Sequence, residues 1–133
     1  MPSPAIGFTG TQAGVSPERI EKFRAFMADA ADRGWVVFRH GDCIGADAQA
    51  HKIARSLKYY IIGHLPEHDG KRAFCHFDET WIPKPYMARN QDIVDNSEIL
   101  VALPKDPDCE ELRSGTWSTI RKARKAGKKV FIF

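Results

Sequence analysis

The stretch Trp35-Val36-Val37-Phe38-Arg39-His40-Gly41-Asp42-Cys43-Ile44-Gly45-Ala46-Asp47 decides the fold. Its first four residues are a compact apolar run, which reads as a buried strand. Beyond Asp47, Ala50, Ile53, Ala54 and Leu57 recur every three or four residues, the spacing of a helix face. Between them lies a turn with glycines at 41 and 45. Strand, glycine turn and helix is the layout that gathers backbone N–H groups and the positive end of a helix dipole around an anion. Gly41, Asp42, Cys43, Gly45, Ala46 and Asp47 are therefore candidate ligand contacts. A second reading of the same residues is a tight turn, with Asp47 bonding backbone N–H groups at a helix start.

The pattern extends in both directions. Upstream, Ala5-Ile6-Gly7-Phe8 is a short apolar strand, with Thr9-Gly10-Thr11-Gln12 as the loop at its end. Ser16-Pro17-Glu18 opens a helix, with Ser as cap and Pro in the first turn. Ile20, Phe23, Phe26, Met27, Ala30 and Ala31 form its apolar stripe, and Gly34 closes it. Downstream, Tyr59–Gly63 is a third strand. Met87–Val94 reads as a short helix, Glu98–Leu103 as a strand, Ser114–Gly127 as a capped helix and Val130–Phe133 as a last strand. Linked β-α-β units predict a parallel sheet with right-handed crossovers. The expected fold is a single α/β domain, a Rossmann-like three-layer arrangement around five mainly parallel strands. Residues 64–86, rich in Pro, His and aromatics, show neither period and are expected to form a functional loop or lid.

Composition is that of an ordinary globular domain. The 133 residues are 43% hydrophobic and 28% charged, with a formal charge of +3. That charge does not by itself call for nucleic acid. Three irregularly spaced cysteines argue against a disulfide framework, and no apolar run is long enough for a membrane span. Met1-Pro2-Ser3-Pro4 lacks the pattern of a signal sequence, so a cytoplasmic location is expected.

In such sheets ligands sit beyond the carboxyl ends of the strands, where strand order reverses. Thr9, Gly10 and Thr11, the Gly41–Asp47 turn and Pro104–Thr116 fall there. Arg113, Ser114, Gly115 and Thr116 combine a charged donor, two hydroxyls and free helix-start N–H groups suited to phosphate. His64, His68, Cys75 and His76 fit no common zinc spacing, so no metal site is assigned. Trp81, Pro83, Pro85 and Tyr86 read either as an aromatic wall for a base or as a small satellite core. The basic residues Arg121, Lys122, Arg124, Lys125, Lys128 and Lys129 fall at a helix C-terminus, opposite the predicted cleft, where cations complement the dipole.

Gly41-Asp42-Cys43-Ile44-Gly45-Ala46-Asp47 with Ala50-His51, then Arg89-Asn90-Gln91-Asp92, then Ser114-Gly115-Thr116 with Ala126-Gly127-Lys128, together resemble the SLOG superfamily. That group joins the LOG/lysine-decarboxylase-like proteins, the DNA-processing protein DprA/Smf and the small YpsA/DUF2493-type proteins, the last being most similar. The resemblance implies a Rossmann-like fold and a nucleotide or nucleoside derivative held by the two glycine loops, with Arg89 and Asn90 facing it. It also implies a sensor or carrier that needs no cofactor beyond that ligand, and a homodimer, since the family contains dimers. Single-stranded DNA binding of the DprA kind is the less favoured partner reading. The LOG enzymes carry Pro-Gly-Gly-x-Gly-Thr-x-x-Glu, whose Glu serves N-glycosidic cleavage; here Thr119 stands in that place. Hydrolysis would then fall to Asp47 or Asp42.

Overall fold

The computed structural model describes residues 3–133. Six parallel strands form one sheet: β1 (Ala5–Gly10), β2 (Val37–His40), β3 (Tyr60–Pro66), β4 (Glu79–Lys84), β5 (Ile99–Leu103) and β6 (Lys129–Ile132). Their spatial order is β4-β3-β2-β1-β5-β6. The chain runs outward from β1 to β4 and then returns to the other side of β1, so strand order reverses between β1 and β5. That is where a parallel sheet opens a crevice at its carboxyl edge.

Helices α1 (Pro17–Asp32) and α2 (Ala46–Ser56) cover one face, and α3 (Tyr86–Asp95) and α4 (Gly115–Lys125) the other. Under α1 and α2, Phe8, Phe23 and Phe38 meet in tilted or edge-on ring contacts, with Ile6, Met27 and Ile61 fully buried around them. Under α3 and α4 a smaller core joins Ile93, Leu100, Trp117 and Ile120. On β5, Ile99, Val101 and Leu103 feed the first core and Leu100 and Ala102 the second, as the period of two requires. Helix starts follow the expected chemistry. Ser16 Oγ accepts from the Arg19 amide and Ser114 Oγ from the Trp117 amide.

The strand count corrects the expectation of five. Residues 79–84 form the edge strand β4 inside what sequence alone reads as irregular loop. Glu79, Thr80, Ile82 and Pro83 are all exposed, so the strand carries no burial pattern to betray it. Pro83 is tolerated because it sits at a sheet edge, where one row of N–H groups faces solvent. Residues 67–78 contain only a single 3-10 turn, Asp69–Lys71, and are strapped down rather than loose. Arg55 Nη1 pairs with Asp78 at 2.9 Å, and Asp78 Oδ2 also accepts from the Ile61 amide. No helix of the structure is long and apolar enough to cross a membrane.

Candidate functional site

At the carboxyl edge, the ends of β1, β2 and β5 and the start of α3 enclose a cavity of about 470 Å³. Of the sequence-derived residues, Thr9, Gly10, Thr11, Gly41, Cys43, Asp47, Arg89, Asn90, Ser114, Gly115 and Thr116 line it. The loops carrying them are far apart in sequence and meet because strand order reverses here.

Of the helices that begin at this edge, α2 and α4 have starts that differ. At α2 the amides of Gly41, Asp42, Cys43, Ile44 and Ala46 are spent within the protein. Gly41 and Cys43 N–H donate to Asp47 Oδ2 at 3.2 and 3.1 Å, and Asp42 N–H donates to His40 Nδ1 at 3.0 Å. Ile44 N–H reaches Lys71 O and Ala46 N–H reaches Thr11 O, both at 2.9 Å. The expected anion cradle at the glycine turn is therefore already filled, by the protein's own carboxylate. The glycines serve close packing. A Cβ on Gly41 would lie 2.3 Å from the Arg89 guanidinium, and Gly45, at φ +85°, abuts the Gln12 carbonyl.

At α4 the arrangement is open. Ser114 Oγ takes the Trp117 amide, which leaves the Gly115 and Thr116 N–H groups without an intrahelical partner. A side chain on Gly115 would meet nothing within 4 Å. Among the described residues the Thr9 and Thr116 hydroxyls also make no hydrogen bond within the protein, and both border the cavity.

Arg89, on α3, closes the cavity floor. It is 5% exposed, and its guanidinium stacks on Tyr86 with 5.3 Å between charge and ring centre. Nη1 donates to the Gly41 and His64 carbonyls and Nε to Asn90 Oδ1. Nη2 meets only the Cys43 sulfur, 3.9 Å away. Among the described residues no carboxylate forms a salt bridge with it, although buried guanidinium groups ordinarily carry one. Burial holds the Cys43 thiol above its ordinary range, so it borders the cavity as a neutral, weakly polar group.

Four sequence-derived residues stand outside the cavity lining. Asp42 is fully buried at φ +59°, with Oδ2 paired to Arg72 Nε at 2.8 Å and Oδ1 accepting from the Cys75 amide at 2.9 Å. A carboxylate so committed holds the 72–75 segment onto the turn and has no route to a substrate. Gly45 and Ala46 are packed beneath Thr11 and Gly10. Arg113 is exposed in the loop before α4. The sequence does not single out Phe8, Gln12, Ile93, Lys105 or Glu111 as lining residues, and for Tyr86 it leaves the wall and the satellite core both open. Lys105 follows the Leu103-Pro104 end of β5, a position the switch-point rule already marks. Glu111 lies in the same Pro104–Thr116 loop, whereas Phe8 and Ile93 carry no such signal.

Thr119, where the LOG-type Glu would stand, is fully buried, and its hydroxyl donates to the Gly115 carbonyl. The histidines of residues 64–76 do not gather. His64 is buried against Trp81, at 4.5 Å between ring centres, while His68 is exposed. Cys75 instead approaches His40 and His51. Because the Asp42 amide donates to His40 Nδ1, the His40 proton sits on Nε2 and points at His51 Nδ1, 2.9 Å away. This is a satisfied hydrogen-bond relay in the core. Burial lowers the His51 pKa to about 4, and it lowers that of His64 to about 3.

No protein-family model and no curated protein sequence matches the chain. Solved structures do. The molybdenum cofactor binding protein from Rippkaea orientalis superposes with a TM-score of 0.76 at 24% identity, over 99% of this chain and 77% of that one. The molybdenum cofactor carrier protein of Chlamydomonas reinhardtii gives 0.71 at 25% identity, over 98% and 76%. DNA processing protein A (DprA) of Streptococcus pneumoniae gives 0.72 at 19% identity, over 98% of this chain and half of that one. This chain shares their Rossmann-like fold.

Proposed function

We propose that this domain binds an anionic, nucleotide-like small molecule in the cavity at the β1/β5 switch point, as a carrier or sensor. The observation that carries the reading is Arg89, a buried guanidinium on the cavity wall with no carboxylate partner. An unpaired buried charge is costly, and an anion in the cavity offsets that cost. The α4 start supplies two amides, Thr9 and Thr116 supply hydroxyls, and Lys105 adds a second cation. Phosphate fits that donor set. Tyr86, Ile93 and Phe8 add the apolar surface that a planar ring covers.

The structural neighbours named for binding or carrying the molybdenum cofactor support a holding role, and they make that cofactor a cargo to test beside nucleotides. The ordered Gly41–Asp47, Arg89–Asp92 and Ser114–Thr116 motifs, together with the DprA likeness, support membership of the SLOG superfamily.

The test is calorimetric titration and thermal shift with inorganic pyrophosphate, nucleoside monophosphates and a short single-stranded DNA. At a hundred times its dissociation constant a ligand raises stability by about 2.7 kcal/mol. The reading expects saturable one-to-one binding of the phosphates, lost in Gly115→Glu, whose carboxylate would face the anion. Chromatography of the mixtures separates binding from turnover. Absence of any phosphate binding, or tight binding of DNA alone, overturns it.

A further inference from the structure

The cavity also carries a charged group of opposite sign. Asp47 is 5% exposed and borders the cavity. Its Oδ2 is committed to the Gly41 and Cys43 amides, yet among the described residues Oδ1 accepts no hydrogen bond. His40 Nδ1 lies 3.7 Å from Oδ2 and already accepts from the Asp42 amide. Asp47 lines the cavity, so Oδ1 is an acceptor left free for a ligand there.

We infer that Asp47 Oδ1 reads hydrogen-bond donors on the uncharged part of the ligand and fixes its direction in the cavity. The inference rests on the proposed anion site. A phosphate cannot lie against this carboxylate, because like charges repel and the Gly41 and Cys43 amides beside it are already bonded to it. It must lie toward α4 and Lys105, with the other end of the ligand toward Asp47. That end must present N–H or O–H groups: a ring edge with adjacent amide and amino protons, or the vicinal hydroxyls of a ribose. A ligand lacking both covers that oxygen without pairing it, and a site that buries an unpaired polar group discriminates strongly.

The ligand series tests this without altering the protein. Guanosine 5′-monophosphate carries both donor sets. Adenosine 5′-monophosphate lacks the paired ring-edge donors, and 2′-deoxyguanosine 5′-monophosphate lacks one ribose hydroxyl. Loss of about tenfold in affinity on removing one set assigns the source of the donor; equal affinity across all three, matching inorganic pyrophosphate, overturns the inference. Asp47→Asn supplies the second arm. Its amide oxygen can keep the Gly41 and Cys43 bonds while its NH₂ replaces the free acceptor with a donor. Guanosine monophosphate should then weaken by about tenfold while pyrophosphate binding is retained or improved. If the variant loses pyrophosphate equally at an unchanged melting temperature, Asp47 does not direct the ligand. If wild-type protein binds no phosphate at all, the anion site itself fails, and the inference falls with it.

Discussion

The α2 and α4 helix starts stand at the same edge of the sheet, and both follow a strand and a loop. By sequence the α2 start looks the better anion site, with two glycines and a small, tight turn. In the structure it is closed, because Asp47 takes the Gly41 and Cys43 amides and three neighbouring amides, of Asp42, Ile44 and Ala46, have other protein partners. The α4 start, preceded by an exposed and less regular loop, keeps its Gly115 and Thr116 amides open. Glycines permit close backbone approach, but what approaches is decided by the nearest charge. Here the protein's own carboxylate arrives first at one helix, and the cavity is left to the other.

The comparison can be broken most forcefully at Gly45. Its φ of +85° and the Gln12 carbonyl beside it make Gly45→Ala doubly unfavourable. A loss of roughly 3 kcal/mol in urea unfolding is expected. A near-neutral result would mean that the α2 turn is not the rigid, closed element described.

Acidification probes the packing behind that turn. His51 and His64 have folded-state pKa values of about 4 and about 3, against 6.5 for the unfolded chain. Between those values the unfolded chain binds the extra proton, so stability is full above pH 6.5 and falls as pH drops. Each histidine contributes a slope of roughly 1.4 kcal/mol per pH unit in that window, most legible above about pH 5, before carboxylates titrate. His51→Gln should flatten the denaturation-versus-pH curve; an unchanged slope contradicts the assignment.

At the open helix, Gly115→Glu should cut phosphate affinity by at least tenfold, about 1.4 kcal/mol, with the melting temperature unchanged. An acid at the first helical position suits the dipole, so stability does not suffer. Ser114→Ala is the mildest change. Loss of its cap should cost about 1 kcal/mol in chemical denaturation and add a third unpartnered amide, that of Trp117, to the α4 start.

Much of this architecture was legible in the sequence because it rests on strong local signals. The apolar runs at Ile6, Ile61 and Leu100 are central strands buried on both faces, that at Phe38 is buried on one, and Ser16 and Ser114 cap as their type requires. β4 was not legible. An edge strand with exposed residues and a proline has no buried face to impose a period on its sequence. The cavity was half legible: the switch-point rule finds the loops, and the glycines and hydroxyls mark several lining residues. The roles within it were not. Whether Asp42 or Asp47 faces a ligand depends on Arg72, thirty residues beyond Asp42 in the chain and brought onto it by the strap after β3. Nor does Arg89 announce in sequence that its guanidinium is buried without a carboxylate; that emerges only when α3 packs across the ends of β2 and β3.

The most direct test of the central claim is a backbone amide NMR titration with inorganic pyrophosphate. The account predicts saturable shifts at Gly115 and Thr116, with the Arg89 side-chain N–H signals moving at the same ligand concentration and the Gly41 and Cys43 amides holding still against Asp47. Shifts centred on Gly41 and Cys43, with Gly115 and Thr116 unmoved, would contradict it and return the anion to the glycine turn.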